Sequence, residues 1–112
     1  MPIASGAIKL DGGGKVVIAE VSVIPIGTKT PSVSEYVAKA LMQQKNVKYQ
    51  LTAMGTILEG ELSQVLDAVK RMHESVFGEE VKRVVTRIMI DDRRDKKLTI
   101  DYKVQSVMKK LG

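Results

Sequence analysis

The chain has 112 residues, which predicts one compact domain with a single hydrophobic core. It contains no cysteine, so disulfides, thiolate nucleophiles and cysteine-based zinc sites are excluded. The formal net charge is +5, but acidic residues lie beside several of the lysines and arginines, which indicates a solvated surface of mixed sign rather than a nucleic-acid-binding patch. No apolar run approaches the roughly 20 residues that span a bilayer. Residues 1–10 lack the apolar stretch of a secretion signal, so we expect a cytoplasmic protein.

The first predicted strand covers residues 16–26. Its odd-numbered positions are apolar and alternate with a mixed set, so one face of the strand is wholly apolar; these positions are Val17, Ala19, Val21 and Val23. The preceding segment contains three consecutive glycines at 12–14, which disfavour regular structure. We interpret residues 1–15 as a flexible, glycine-rich N-terminal arm and residues 16–112 as a single domain.

A capping box at residues 32–35 predicts a helix that runs from there to about Lys45. Apolar residues at helical spacing follow the box. Two alternating segments, residues 47–53 and 56–60, are then predicted to be strands, with a turn at Met54 between them.

A second helix is indicated by a stripe of apolar residues from position 62 to 77, and Gly78 lies where a C-terminal glycine cap is expected. Residues 82–91 form the most β-prone segment of the chain. A charged loop follows at 92–97. Thr99 is predicted to cap a last helix, whose apolar side carries Val104, Val107, Met108 and Leu111.

The predicted order is β-α-β-β-α-β with an additional C-terminal helix. This order is typical of an α+β, ferredoxin-like fold: a four-stranded antiparallel sheet with helices on one face. The other face, here called the open face, must meet water, a ligand or another subunit. It combines apolar and polar residues, which favours contact between the sheets of two copies; its predicted members are Ile18, Glu20, Ser22, Ile24, Gln50, Thr52, Met54, Ile57 and Glu59.

No catalytic or metal-binding constellation is visible in the sequence. His73 is the only histidine, and a metal site would need partners at fixed spacing. The acidic residues Asp91, Asp92 and Asp95 surround two arginines, which predicts a solvated turn with internal ion pairs; an ion site there is the alternative. No serine is paired with a histidine in a nucleophilic motif. We therefore expect a protein that is not an enzyme and has no cofactor or metal.

Six segments together carry a family pattern: VIPIG at 23–27, TPSVSEYV at 30–37, YQLTAMGT at 49–56, LEGE at 58–61, RVVT at 83–86 and IDDRRDK at 90–96. In this order and spacing they resemble the YkoF-like thiamine-binding protein family over most of residues 18–111. The resemblance implies a ferredoxin-like subunit that forms homodimers and homotetramers. It also implies binding of thiamine or its hydroxymethylpyrimidine moiety without chemical change, for thiamine supply, sensing or salvage.

An aminopyrimidine requires hydrogen-bond partners in the plane of its ring and apolar walls above and below it. Hydroxyl groups near the start of the first helix, a wall residue and two polar groups of the third strand meet this requirement. The predicted ligand-binding residues are Thr30, Ser32, Ser34, Met54, Thr56 and Glu59. Two alternatives stay open at this point: Ser32 is only a helix cap, and Glu59 forms a salt bridge to Arg87 or to a lysine of a neighbouring subunit.

Two other functions are compatible with the sequence. The first is a structural or regulatory oligomer that has no small-molecule ligand and uses the open face only as an interface. The second is an RNA-binding module, because many such domains share this element order. Those domains stack bases on aromatic side chains of the exposed sheet, and the predicted open face has none, which makes this the weaker alternative.

Overall fold

The structure is a computed structural model that describes residues 16–27, 34–42, 46–96 and 98–112. The predicted arm, residues 1–15, lies outside this set. The elements are β1 (Val16–Ile26), α1 (Ser34–Met42), β2 (Lys48–Thr52), β3 (Gly55–Glu61), α2 (Leu62–Val76), β4 (Arg83–Asp91) and α3 (Ile100–Leu111). The strands form one antiparallel sheet in the order β2-β3-β1-β4. The predicted α+β, ferredoxin-like fold is confirmed.

The core lies between one face of the sheet and the helices α1 and α2. Side chains alternate across a strand, so the apolar positions of β1 all point to this face. Helix α2 has an apolar side chain every three or four residues, and these side chains cover the apolar positions of β1. The buried residues of this core include Val17, Ala19, Val21, Leu58, Val65, Val69, Met72 and Val76.

The open face carries the other half of each strand. Glu20 is at its centre, opposite Ile57 of β3 on one side and Met89 of β4 on the other. Ser22 lies opposite Arg87 on the same face. The face is therefore a mixture of apolar and charged groups, as the alternation in the sequence predicts.

Helix α3 begins at the end of β3, on the side of the open face. Its first turn is capped by Thr99, whose Oγ1 accepts a hydrogen bond from the Tyr102 N–H at 3.0 Å, which confirms the predicted cap. Beyond Ile100, which is buried, the apolar side of the helix is exposed. This exposed side, here called the α3 stripe, consists of Val104, Val107, Met108 and Leu111.

The end of α2 differs from the prediction. The helix closes at Phe77, which has an extended backbone (φ −66°, ψ 143°) and donates its N–H to the Glu74 carbonyl at 3.3 Å. Gly78 does not adopt the left-handed conformation of a glycine cap, and its N–H donates to the Val81 carbonyl at 3.2 Å. The predicted Gly78 cap is therefore wrong, because an extended residue already turns the chain out of the helix.

None of the helices in the described part of the chain is long and apolar enough to cross a bilayer.

Candidate functional site

The first strand extends beyond its neighbour at one end of the sheet. The last pair between β1 and β3 is Val21 with Thr56, because β3 begins at Gly55. β1 continues to Ile26 and there pairs with β4 alone. The edge of β1 that would otherwise face β3 therefore borders an open space.

This space is a cleft between β1, the β2–β3 turn and α1, here called the hairpin cleft. Its volume is about 500 Å³, within the range of roughly 300–1,000 Å³ that is usual for small-molecule sites. The lining is mostly apolar; it comprises residues 21–24 of β1, Val37 and Ala38 of α1, residues 51–56 of the hairpin, and Met72 of α2.

Side-chain hydrogen bonds fix the turn that forms one wall of the hairpin cleft. Thr52 Oγ1 accepts from the backbone N–H groups of Met54 at 3.2 Å and Gly55 at 3.1 Å. The Ser22 hydroxyl donates to the Met54 carbonyl at 3.2 Å and so ties the turn to β1. Both backbone polar groups of Met54 are therefore engaged within the turn region.

The turn approaches β1 so closely that only glycine fits at position 55. A Cβ atom at Gly55 would lie 2.8 Å from the Val21 carbonyl oxygen and 3.1 Å from Ser22 Oγ. Because the first of these atoms belongs to the backbone of a central strand, it cannot move aside easily. Gly55 therefore sets the shape of the cleft.

Two of the predicted ligand-binding residues, Met54 and Thr56, line the hairpin cleft together. Met54 is 81% exposed at the mouth, whereas Thr56 is buried against the core side of the sheet. The Thr56 hydroxyl forms no hydrogen bond with another described residue. The role of both residues in binding stays a prediction.

The predicted residues near the first helix are only partly described. Thr30 and Ser32 lie outside the described residues, as does the side chain of Ser34. Ser34 is the first residue of α1, and the next turn of that helix contributes Val37 and Ala38 to the cleft.

Glu59, the remaining predicted residue, lies away from the hairpin cleft, on the open face. Its Oε1 accepts a hydrogen bond from the Ile100 backbone N–H at 2.6 Å, at the start of α3. The adjacent Lys48 forms an ion pair with Asp101, with Nζ and Oδ2 at 2.9 Å. The hydrogen bond to Asp101 raises the pKa of Lys48, and the negative charge of Glu59 acts in the same direction. The geometry therefore favours a role of Glu59 in anchoring α3.

Several residues of the cleft are not predicted as ligand-binding from the sequence, among them Ser22, Leu51 and Met72. Ser22 and Leu51 belong to strands whose alternation is visible in the sequence. Their meeting at one cleft depends on the register between β1 and β3 and on the point where β3 begins, and neither follows from the pattern of a single strand.

The charged segment after β4 contains the predicted ion pairs. Arg93 pairs with Asp95 at 2.6 Å and Arg94 with Asp92 at 2.9 Å. The Arg93 hydrogen bond holds the pKa of Asp95 below its usual value. Among the described residues, no group of histidine and acidic side chains is arranged to hold a metal ion.

His73 is half-buried on the side of α2 that faces β4. Its Nδ1 lies 2.6 Å from the Thr86 hydroxyl oxygen, and its ring meets the Phe77 ring edge-on at 5.3 Å. These contacts give the histidine a structural role at the junction of α2 and β4.

The chain resembles known proteins over most of its length. The family model described as thiamine-binding protein matches residues 19–108. The UPF0045 protein YqgV of Bacillus subtilis is 49% identical over 100 residues, and the match covers 84% of this chain and 96% of YqgV. The structure of protein MJ1052 from Methanocaldococcus jannaschii has a TM-score of 0.71 at 45% identity, covering 82% of this chain and 95% of MJ1052. That of a domain of unknown function, DUF77, from Bacillus cereus has a TM-score of 0.66 at 40% identity, covering 80% and 88%. The chain therefore belongs to the thiamine-binding protein family.

Proposed function

We propose that this protein binds thiamine, or its hydroxymethylpyrimidine moiety, in the hairpin cleft without transforming it. Such binding would serve thiamine supply, sensing or salvage in the cytoplasm. The observation that carries the proposal is the cleft itself: a largely apolar space of about 500 Å³, with the Thr56 hydroxyl in its wall and no partner for that hydroxyl among the described residues.

The chemistry of the lining suits a flat heterocycle. Val37 of α1, Leu51 of β2 and Met72 of α2 offer apolar surface to the faces of a ring. The Thr56 hydroxyl can donate to or accept from a group in the plane of the ring. Membership of a family described as thiamine-binding supports the choice of this heterocycle.

The same lining supports binding rather than catalysis. None of the described residues around the cleft has an ionisable side chain. General acid–base catalysis needs a group that gains and loses a proton near neutral pH, and a hydroxyl nucleophile needs an adjacent base. The described cleft residues therefore offer a ligand contacts but no proton-transfer partner.

Isothermal titration of the purified protein with thiamine and, separately, with hydroxymethylpyrimidine tests this function. We expect saturable binding with about one ligand per subunit. Thr56→Val keeps the volume of the side chain but removes the hydroxyl, and should weaken binding about tenfold, since a lost hydrogen bond is worth about 1 kcal/mol or slightly more. Met54→Ala should weaken it several-fold through lost contact.

Met42→Ala is the matched control for Met54→Ala, because Met42 is also a largely exposed methionine (75%) but lies at the end of α1, outside the cleft lining. Its affinity should equal that of the unmodified protein. If neither compound binds a well-folded sample, the proposal is wrong and a structural or regulatory oligomer without a ligand becomes the better description.

We further propose that the protein forms homodimers and homotetramers through its open face and its α3 stripe. The open face exposes apolar side chains, including Met89, which is 66% exposed. Glu20 and Arg87 lie on the same face and form no hydrogen bond or ion pair with any described residue. A two-fold axis brings each residue of such a face to the complementary residue of the partner, so opposite charges can pair twice.

A second copy is the occupant that these surfaces fit, because the open face carries both the acid and the base that a self-complementary contact requires. The α3 stripe is a second apolar surface without a cover in the described structure. Two separate surfaces of this kind are what a dimer that pairs again into a tetramer needs.

Three methionine-to-lysine variants test this assembly by light scattering after size-exclusion chromatography. Met89→Lys on the open face and Met108→Lys on the α3 stripe should each lower the mass of the oligomer. Met42→Lys is the control and should leave it unchanged. A monomeric unmodified protein at micromolar concentration, or equal masses for all variants, would contradict the proposed interfaces.

A further inference from the structure

One backbone carbonyl shows which residues of β1 point toward β3. The Val21 oxygen lies 2.8 Å from the position that a Cβ on Gly55 would occupy, so this carbonyl is directed at the start of β3. In an antiparallel sheet, the N–H and C=O of one residue point to the same neighbouring strand, and successive residues alternate between the two neighbours. The polar backbone groups of Val23 therefore point to the same side as those of Val21.

Pro25 agrees with this direction. Proline has no N–H and occurs in strands where that side of the residue makes no ladder bond. Pro25 lies opposite Val84 of β4, and by the same alternation the position of its missing N–H faces away from β4. The ladder between β1 and β4 is thus complete without it.

The ladder between β1 and β3 stops before Val23. Continuing the register from the Val21–Thr56 pair would place Met54 opposite Val23. The Met54 N–H is held by Thr52, and its carbonyl accepts from the Ser22 hydroxyl. The ladder between β1 and β3 therefore ends before Val23, whose N–H and C=O point toward the hairpin cleft.

Backbone N–H and C=O groups outside a ladder are satisfied by side chains, water or a ligand. Val23 lines the hairpin cleft, where the proposed ligand lies. We propose that the main chain of Val23 recognises the ligand: its N–H donates to a ring nitrogen, and its C=O accepts from an amino group beside that nitrogen. This inference rests on the proposed function and adds the main-chain groups that recognise the adjacent acceptor and donor of the heterocycle.

The length of the free edge favours a single heterocycle over a peptide strand. A strand that adds to a sheet edge uses several residues in succession. Here the edge is limited by the β2–β3 turn on one side and by Pro25, which has no N–H, on the other. The N–H of Val23 is the one donor left on this edge up to Pro25, and together with the C=O of the same residue it matches one edge of an aminopyrimidine.

Amide hydrogen exchange followed by nuclear magnetic resonance tests this inference on the full chain. Saturating hydroxymethylpyrimidine should slow exchange of the Val23 amide at least tenfold and shift its resonance. The Val17 amide is an internal control, because it points in the same direction but lies where β1 and β3 are paired, opposite Gly60. A second titration uses the analogue that lacks the exocyclic amino group, which should bind at least tenfold more weakly.

The outcomes separate the two proposals. Binding that leaves Val23 exchange unchanged, or equal affinity for the analogue without the amino group, would overturn the inference and keep the proposed function. Slow exchange of Val23 before any ligand is added would mean that another part of the chain holds it, and would also overturn the inference. If neither thiamine nor hydroxymethylpyrimidine binds, the proposed function fails and this inference fails with it.

Discussion

The two ends of β3 differ in how far their polar groups are hydrogen-bonded within the chain. At its C-terminal end, where α3 begins, polar side chains find partners within the chain: Glu59 accepts from the Ile100 N–H, Lys48 pairs with Asp101, and Lys103 pairs with Asp91 at 2.8 Å. This network holds the first turn of α3 against the sheet. The folded chain itself supplies the partners of these polar groups.

At the N-terminal end of β3, the partners are incomplete. Ser22 and Thr52 hold the turn in place, but the Thr56 hydroxyl and the backbone of Val23 face the hairpin cleft without a described partner. We propose that the end whose polar groups face the cleft is the recognition site and that the end whose polar groups are paired is structural. Three experiments test this contrast.

The largest effect is expected from Gly55→Ala at the cleft end. The new Cβ would lie 2.8 Å from the Val21 oxygen, so β1 and the turn must separate, and forcing extra volume into a closely packed place costs about 1–3 kcal/mol of unfolding free energy. Ligand affinity should fall as well, because the turn forms a wall of the cleft. Urea denaturation and titration calorimetry measure the two losses.

Gly78→Ala is the matched control for this substitution. No atom lies within 4 Å of the position that a Cβ on Gly78 would occupy, and the backbone there is not left-handed. Alanine should therefore leave stability within about 0.5 kcal/mol of the parent, as substitutions at exposed positions usually do. Equal effects of the two substitutions would show that the close approach of the turn to β1 does not constrain the fold.

The success of the sequence in predicting the fold has a simple physical origin. Alternation in β1 and helical spacing in α2 are imposed by burial of one face, so the pattern that stabilises the core is written directly in the order of apolar residues. The prediction of a glycine cap at Gly78 was wrong because Phe77 adopts an extended conformation and ends the helix before Gly78.

The residues of the candidate site are harder to predict from the sequence than the fold is. Met54 and Thr56 are close to each other in the sequence, and the structure places both at the cleft. Glu59 is near them in sequence as well, but it lies on the other face of the sheet and its partner, Ile100, is 41 residues away. A contact of that separation depends on the path of the whole chain, which no local pattern encodes.

Glu59→Ala tests the C-terminal end of β3, where the polar groups are paired within the chain. The substitution removes the acceptor of the Ile100 N–H and a negative charge at the start of α3, and losing a cap of this kind costs about 1 kcal/mol of unfolding free energy. Affinity for thiamine and hydroxymethylpyrimidine should stay unchanged, because the carboxylate is not part of the cleft. Urea denaturation and calorimetry again supply the two values.

Glu80→Ala serves as the control for the loss of one negative charge, since Glu80 is exposed in the segment between α2 and β4. It should alter neither quantity. A large loss of ligand affinity in Glu59→Ala, with stability unchanged, would return Glu59 to the binding site that its sequence position suggested and would remove the contrast between the two ends.

The smallest effect is expected for the ion pair between Lys48 and Asp101. A double-mutant cycle with Lys48→Gln and Asp101→Asn, at fixed protein concentration, should give a coupling energy of about 0.2–1 kcal/mol, because the Asp101 side chain is largely exposed and water screens the pair. The pKa of Lys48 is raised in the folded protein, chiefly by its hydrogen bond to Asp101. The coupling is therefore fully present below the unfolded-state pKa of lysine and disappears as the pH rises through the higher folded-state value. A coupling energy that instead weakens between about pH 8 and pH 6 would contradict this, because that range lies well below the one in which lysine titrates. A group other than Lys48 would then control the attachment of α3, and the hydrogen bonds described here would not explain the C-terminal end of β3.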